Sequence, residues 1–314
     1  SDVLAAQQKY DEAIGVAEQL QETLPESAEG YYRKARFLQQ QGKFDAAISQ
    51  YEIAVQKAPH SSELLAALVA LEVDQGRFES AGNRLTDLLR QQPEHRNASG
   101  LLGRVYLAQG ELEKAEHAFE RQIQVNPEGT NAHAQLALTR LKRGDKSGAE
   151  KAYERGLEVA PDNVALMIGL AGVYEIQDNY EAAIELYERA LQVRPDNAVS
   201  TNNLAALLAD HRGDPESLQR AVEFADVLAK TNQPAFKDTA AWVYYRKGEY
   251  DKAVEILEDV VEQAPEVPVF RYHLGMAYAK TGNKQAAREH LTKATDGDYS
   301  YQGVEEAREA LESL

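Results

Sequence analysis

The side chains able to do chemistry are sparse and irregularly placed. Seven histidines, His60, His95, His117, His133, His211, His273 and His290, fall at unrelated spacings, and none completes a His-Glu-x-x-His or similar metal-ligand pattern. They read as ordinary surface or half-buried histidines. Cysteine is absent, which removes disulfides, thiol nucleophiles and cysteine-metal sites. There is no Gly-x-Ser-x-Gly turn and no glycine loop of the kind that cradles phosphate. Paired carboxylates such as Glu305-Glu306 recur on acidic helices, where solvated charge is the plainer reading. The chemistry left is that of contact. Trp242 and Tyr245, three residues apart, share a helical face, and aromatic rings give large contact area at small entropic cost. The sequence argues for no enzyme and no cofactor.

The elements that must carry these residues repeat. Pro25, Pro59, Pro93, Pro127, Pro161 and Pro195 stand 34 residues apart, with Ala13, Ala47, Ala81, Ala115, Ala149 and Ala183 twelve before them and Gly42, Gly76, Gly110 and Gly144 seventeen after the first four. A fixed period of this length marks a solenoid, whose unit cannot bury its apolar face alone. In the clearest copy, Leu170, Ala171 and Tyr174 form one apolar stripe, Asp178-Asn179 breaks it, and Tyr180, Ala183, Ile184, Tyr187, Ala190 and Leu191 form a second. These are two helices, A and B. Pro195 ends the second by removing an amide.

This pattern resembles the tetratricopeptide repeat family over nearly the whole chain. Its leucine recurs as Leu68, Leu102, Leu136, Leu170, Leu204 and Leu274, its small residue as Ala35, Gly103, Ala137, Ala171, Ala205, Ala241 and Gly275, and its tyrosine as Tyr106, Tyr174, Tyr244 and Tyr278. The resemblance implies an all-α fold, a right-handed superhelical solenoid of antiparallel helix pairs with a C-terminal capping helix. The expected organisation is a partial repeat over 1–27, five regular repeats over 28–197, a repeat with an insertion over 198–235, a shortened repeat over 236–267, a last repeat over 268–297 and the cap over 298–314. The insertion is read as a polar turn around His211–Glu216, and its meaning stays open between loop drift and a hinge. Ser1 falls inside a helix A, so the chain reads as a fragment of a longer protein whose leader the sequence does not reveal.

Composition narrows the partners. With 51 acidic and 34 basic residues the formal charge is −17, which opposes nucleic-acid phosphates and anionic membrane surfaces. No apolar run is long enough to insert in a bilayer. A monomer that binds a protein or peptide is expected. The resemblance places the binding face on helix A and implies Tyr32, Arg36, Arg104, Asn131, Gln135, Ile168, Asn202, Asn203, Asp238, Trp242, Tyr245, Tyr272 and Met276 as its lining, with Leu107, Leu138 and Ile176 beside them. For Trp242 a second reading, packing between repeats, carries equal weight. The family's carboxylate grip for peptide C-termini is missing, because its positions hold Tyr32, Arg36, Ala67, Asn97 and Leu101.

The stretches Asn202–Ala209, Asp238–Gly248 and Tyr272–Tyr278 are similar to C-terminal repeats of bacterial envelope proteins, some in exopolysaccharide secretion. That implies a noncatalytic scaffold at the periplasmic or outer-membrane side. A recognition arm of a larger enzyme and a cytoplasmic adaptor are the alternatives.

Overall fold

The repeat begins and ends where the sequence chemistry dictates. Residues before a proline are pushed out of the α region, and Ala58, ahead of Pro59, ends its helix at φ −134° and ψ 70°. Ser61, Asn163 and Asn197 then cap the next helix by accepting the amides of Leu64, Leu166 and Ser200. A computed structural model describes residues 9–301 and 303–314 and contains eighteen α-helices and no strand among them. Residues 1–8 of the expected partial repeat lie outside the described residues.

The chain divides into two compact units, Ser1–Ala160 and Pro161–Leu314. The first holds α1 (Tyr10–Thr23), α2 (Ala28–Gln40), α3 (Phe44–Lys57), α4 (Ser62–Asp74), α5 (Phe78–Gln91), α6 (Ala98–Gln109), α7 (Leu112–Val125), α8 (Thr130–Lys142) and α9 (Lys146–Val159). The second holds α10 (Val164–Ile176), α11 (Tyr180–Val193), α12 (Ala198–Leu207), α13 (Pro215–Leu228), α14 (Pro234–Lys247), α15 (Tyr250–Gln263), α16 (Pro268–Thr281), α17 (Lys284–Thr295) and α18 (Val304–Ser313). Within each unit every helix packs on the next in sequence. Even-numbered helices up to α16 are the A helices. The alanines of the repeat lie at the contacts, Ala47, Ala81, Ala115, Ala149 and Ala183 each being fully buried, so backbones approach closely there.

The A–B turns need a left-handed residue, supplied by glycine at Gly42, Gly76, Gly110, Gly144, Gly248 and Gly282. In the repeat of α10 and α11 the position is Asp178, at φ 58°. The left-handed region costs an L-residue roughly 1–2 kcal/mol, less for aspartate. Asp178→Gly should therefore stabilise the second unit by about 0.5–1 kcal/mol, measured as a higher urea midpoint.

The insertion has its exposed polar turn at Gly213–Glu216, and a widened helical turn precedes it. After α12 the chain continues for five residues as a π turn, Leu208–Arg212, before Gly213 turns left-handed and Asp214 caps α13. Leu208 and Ala209 are fully buried, His211 stacks on Tyr180 and Arg212 pairs with Glu181 at 2.6 Å. Residues added inside a helix widen a turn rather than break it when their apolar members can be buried. The wide turn aims Asp210 at α14, where it receives the indole N–H of Trp242.

His133 on α8 is 4% exposed and neither ring nitrogen is hydrogen-bonded. Burial pushes its pKa down, outweighing the nearby carbonyls of Pro127 and Ala152. A base with a depressed folded pKa leaves the unfolded chain holding more protons, so stability falls as pH drops from about 6.5 toward the folded pKa. We expect His133→Leu to flatten this loss in the first unit as pH falls below about 6.5, measured by urea midpoints at successive pH values.

Candidate partner-binding faces

The A helices carry the predicted residues, and the structure separates them into local groups. In the first unit Tyr32 on α2 donates its hydroxyl to Glu63 at 2.9 Å, with Arg36 5.7 Å from its ring centroid. Arg104 on α6 lines a cavity of about 260 Å³ with Asn131 and a second of about 210 Å³ with Leu107 and Gln135. Leu138 on α8 remains 43% exposed.

In the second unit Ile168 is half-buried and Ile176 is 48% exposed on α10. Asn203 on α12 donates to the Tyr187 hydroxyl at 2.8 Å, which donates to Glu175 at 2.6 Å, and Asn202 donates to Asn203. These amides thus serve a chain of bonds tying α12 to α11 and α10. Burial pushes the Tyr187 hydroxyl pKa up, helped by Glu175. Met276 on α16 is buried.

The largest assembly of predicted residues surrounds Trp242. On α14, Trp242 and Tyr245 stack with centroids 4.6 Å apart, and from α16 His273 stacks on the indole at 4.2 Å while Tyr272 meets it tilted at 5.5 Å. Trp242, Tyr245 and Tyr272 are 7%, 8% and 2% exposed. Burial pushes the Tyr245 hydroxyl up to about 12 and raises that of Tyr272, which also donates to Glu306 on α18 at 2.8 Å. Asp238 faces His273 Nδ1 at 2.8 Å. One side of this assembly opens on a cavity of about 340 Å³, lined by Asp210, His211, Asp238, Trp242, Arg246, Tyr272, His273, Gly303 and Glu306 among others. Gly303 is required: its φ is 96°, and a Cβ there would sit 2.5 Å from the Tyr272 ring.

Asn203 does not line this cavity. Asp210, His273 and Glu306 do, and reading the sequence did not single them out. The signal was present as spacing: Tyr272–Glu306, His273–Asp238 and Trp242–Asp210 are 34, 35 and 32 residues apart, about one repeat each. Residues one period apart stand side by side on stacked repeats.

With the geometry in place, comparison fixes the class. Two sequence models, both described as tetratricopeptide repeat, match residues 1–62, 135–198 and 239–301 and residues 72–141. Together they cover well over half the chain, and it belongs to the tetratricopeptide repeat family. A chain of the APC/C hetero-tetramer Cut9-Hcn1 is similar in structure, with TM-score 0.61 and 16% identity over 92% of this chain and 56% of that one. A tetratricopeptide repeat protein from Parabacteroides merdae gives TM-score 0.52 and 18% identity, over 80% of this chain and 98% of that one. At these identities the likeness is one of fold. The present chain spans just over half the length of the Cut9-Hcn1 chain. No curated protein matches the chain. Proteins of this family generally mediate protein–protein interactions.

Proposed function

We propose that this chain is a noncatalytic scaffold that receives a protein or peptide along its A-helix face, acting as a monomer. The observation that carries this is the state of two apolar A-helix side chains. Leu138 and Ile176 are 43% and 48% exposed, although neighbouring leucines such as Leu136 and Leu170 are buried. B-helix valines such as Val159 and Val193 are as exposed, so the setting distinguishes Leu138: it lies one turn from Gln135 on α8, which lines a cavity with Arg104, and apolar surface near polar anchors suits a partner's side chains. The setting we propose is a bacterial envelope assembly, at the periplasmic or outer-membrane side and linked to exopolysaccharide secretion. The similarity of the last repeats to envelope proteins supports it.

The experiment is photo-crosslinking in cells from a probe placed at Leu138 or Ile176, against probes at Glu154 and Glu185 on the B helices α9 and α11. Capture of a partner from the A-helix position and not from the B-helix position of the same unit is the expected result. Equal capture from both faces, or none, defeats the docking face. A captured partner confined to the cytoplasm defeats the envelope setting.

A further inference from the structure

We propose that the cavity beside Trp242 is a subsite for a basic side chain, arginine or lysine, of the docked partner. The proposal rests on the A-helix face being the docking face and names what one part of it recognises.

Three carboxylates line the cavity against one guanidinium, that of Arg246, which lies 3.5 Å from Asp210. Each carboxylate is fixed by an internal donor: Asp210 by the Trp242 N–H at 3.0 Å, Glu306 by the Tyr272 hydroxyl and Asp238 by His273. The Asp238 side chain is only 8% exposed, yet it is on the cavity wall, and its Oδ2 accepts no hydrogen bond among the described residues. That oxygen is left open to the cavity, where a cation can displace water and meet it. Arg246 answers Asp210, whereas Asp238 has only the His273 imidazole and Glu306 only the Tyr272 hydroxyl, with no lysine or arginine paired to either among the described residues.

The surroundings select the kind of cation. Among the described residues no group of His, Asp or Glu is placed to hold a metal ion, so a side chain carrying charge on an apolar stem fits better. Trp242 and Tyr272 give that stem an aromatic wall. The unit as a whole assists: residues 161–314 contain 27 acidic and 15 basic residues, against 24 and 19 in residues 1–160. A basic segment is drawn to the second unit before it docks.

The test uses the whole chain and its single tryptophan, Trp242, as the reporter. N-acetylarginine amide, N-acetyllysine amide and the neutral N-acetylcitrulline amide are titrated at low ionic strength, followed by tryptophan emission and by calorimetry. The two cations should give a saturable signal that salt weakens, and citrulline none. Asp238→Asn and Glu306→Gln should each weaken binding by about tenfold, with Glu255→Gln on α15 unchanged. The stronger of the two cations assigns guanidinium or ammonium as the preferred group. Glu306 is exposed on the cap, so its variant keeps the test decisive if Asp238→Asn unfolds. A citrulline response equal to that of arginine, unchanged binding in both carboxylate variants, or no saturable signal by either method overturns the subsite. Crosslinking at Ile176 that persists after any of these results leaves the docking face standing.

Discussion

Arg84→Met should destabilise the first unit by about 3–5 kcal/mol, the usual cost of removing one partner from a buried ion pair. Glu72 on α4 is fully buried. Its carboxylate accepts from Ser80 at 2.6 Å and from two nitrogens of Arg84 on α5, at 3.0 and 3.4 Å, while Arg84 also reaches Glu52 on α3 at 2.6 Å. Glu52 is half-exposed and can turn to water, but Glu72 cannot. Methionine keeps the apolar stem, so the loss isolates the charge. Glu72→Leu with Arg84→Leu should recover most of the stability, because well-packed apolar pairs replace buried ion pairs at little cost. Repeat arrays need not unfold in one step, so amide exchange of α4 and α5 should accompany the urea curves. A loss under about 1 kcal/mol would mean that Glu72 reaches water in the variant and that the pair behaves as a surface pair.

The helix pairs were legible because three kinds of residue recur for different physical reasons. Proline stops helix B, a left-handed residue turns A into B, and alanine lets the backbones approach, and all three keep the period through α11. The site was less legible. Residue type and helical phase placed Trp242, Tyr245, Tyr272, Asp238 and Asn203 on one face, and the structure brings the first four together without Asn203. Phase alone could not tell how far Tyr245 and Met276 would sink between helices, since burial depends on the neighbouring repeat. Nor could it find Asp210, whose position depends on a π turn that restores contact after an irregular spacing, or Glu306, which comes from the cap. Asn203 illustrates the opposite case. Its amide has the chemistry of a ligand contact, but Tyr187, sixteen residues earlier, takes its hydrogen bond.

Trp242→Ala should lower the stability of the second unit by about 3–5 kcal/mol, the range for deleting a buried large aromatic. The indole is 7% exposed and touches rings from its own helix and from α16, so truncation loses contacts on both sides. The polar part of the loss is smaller. Asp210 forfeits the indole N–H but keeps Arg246 nearby, so no carboxylate is stranded. Trp242→Phe, which keeps an aromatic ring but has no N–H, should therefore cost less, about 1–2 kcal/mol. Tyr272→Phe separates packing from the cap: it preserves the ring and removes only the bond to Glu306, a loss of about 1 kcal/mol expected as faster amide exchange in α18. Partner capture measured beside these midpoints decides the role of the indole. If Trp242→Ala unfolds readily while Trp242→Phe captures partner normally, the ring is packing between repeats and the carboxylates carry recognition. If the midpoint of Trp242→Ala hardly moves and capture is lost, the ring itself is the anchor, and its burial measures how little of it the partner needs to touch.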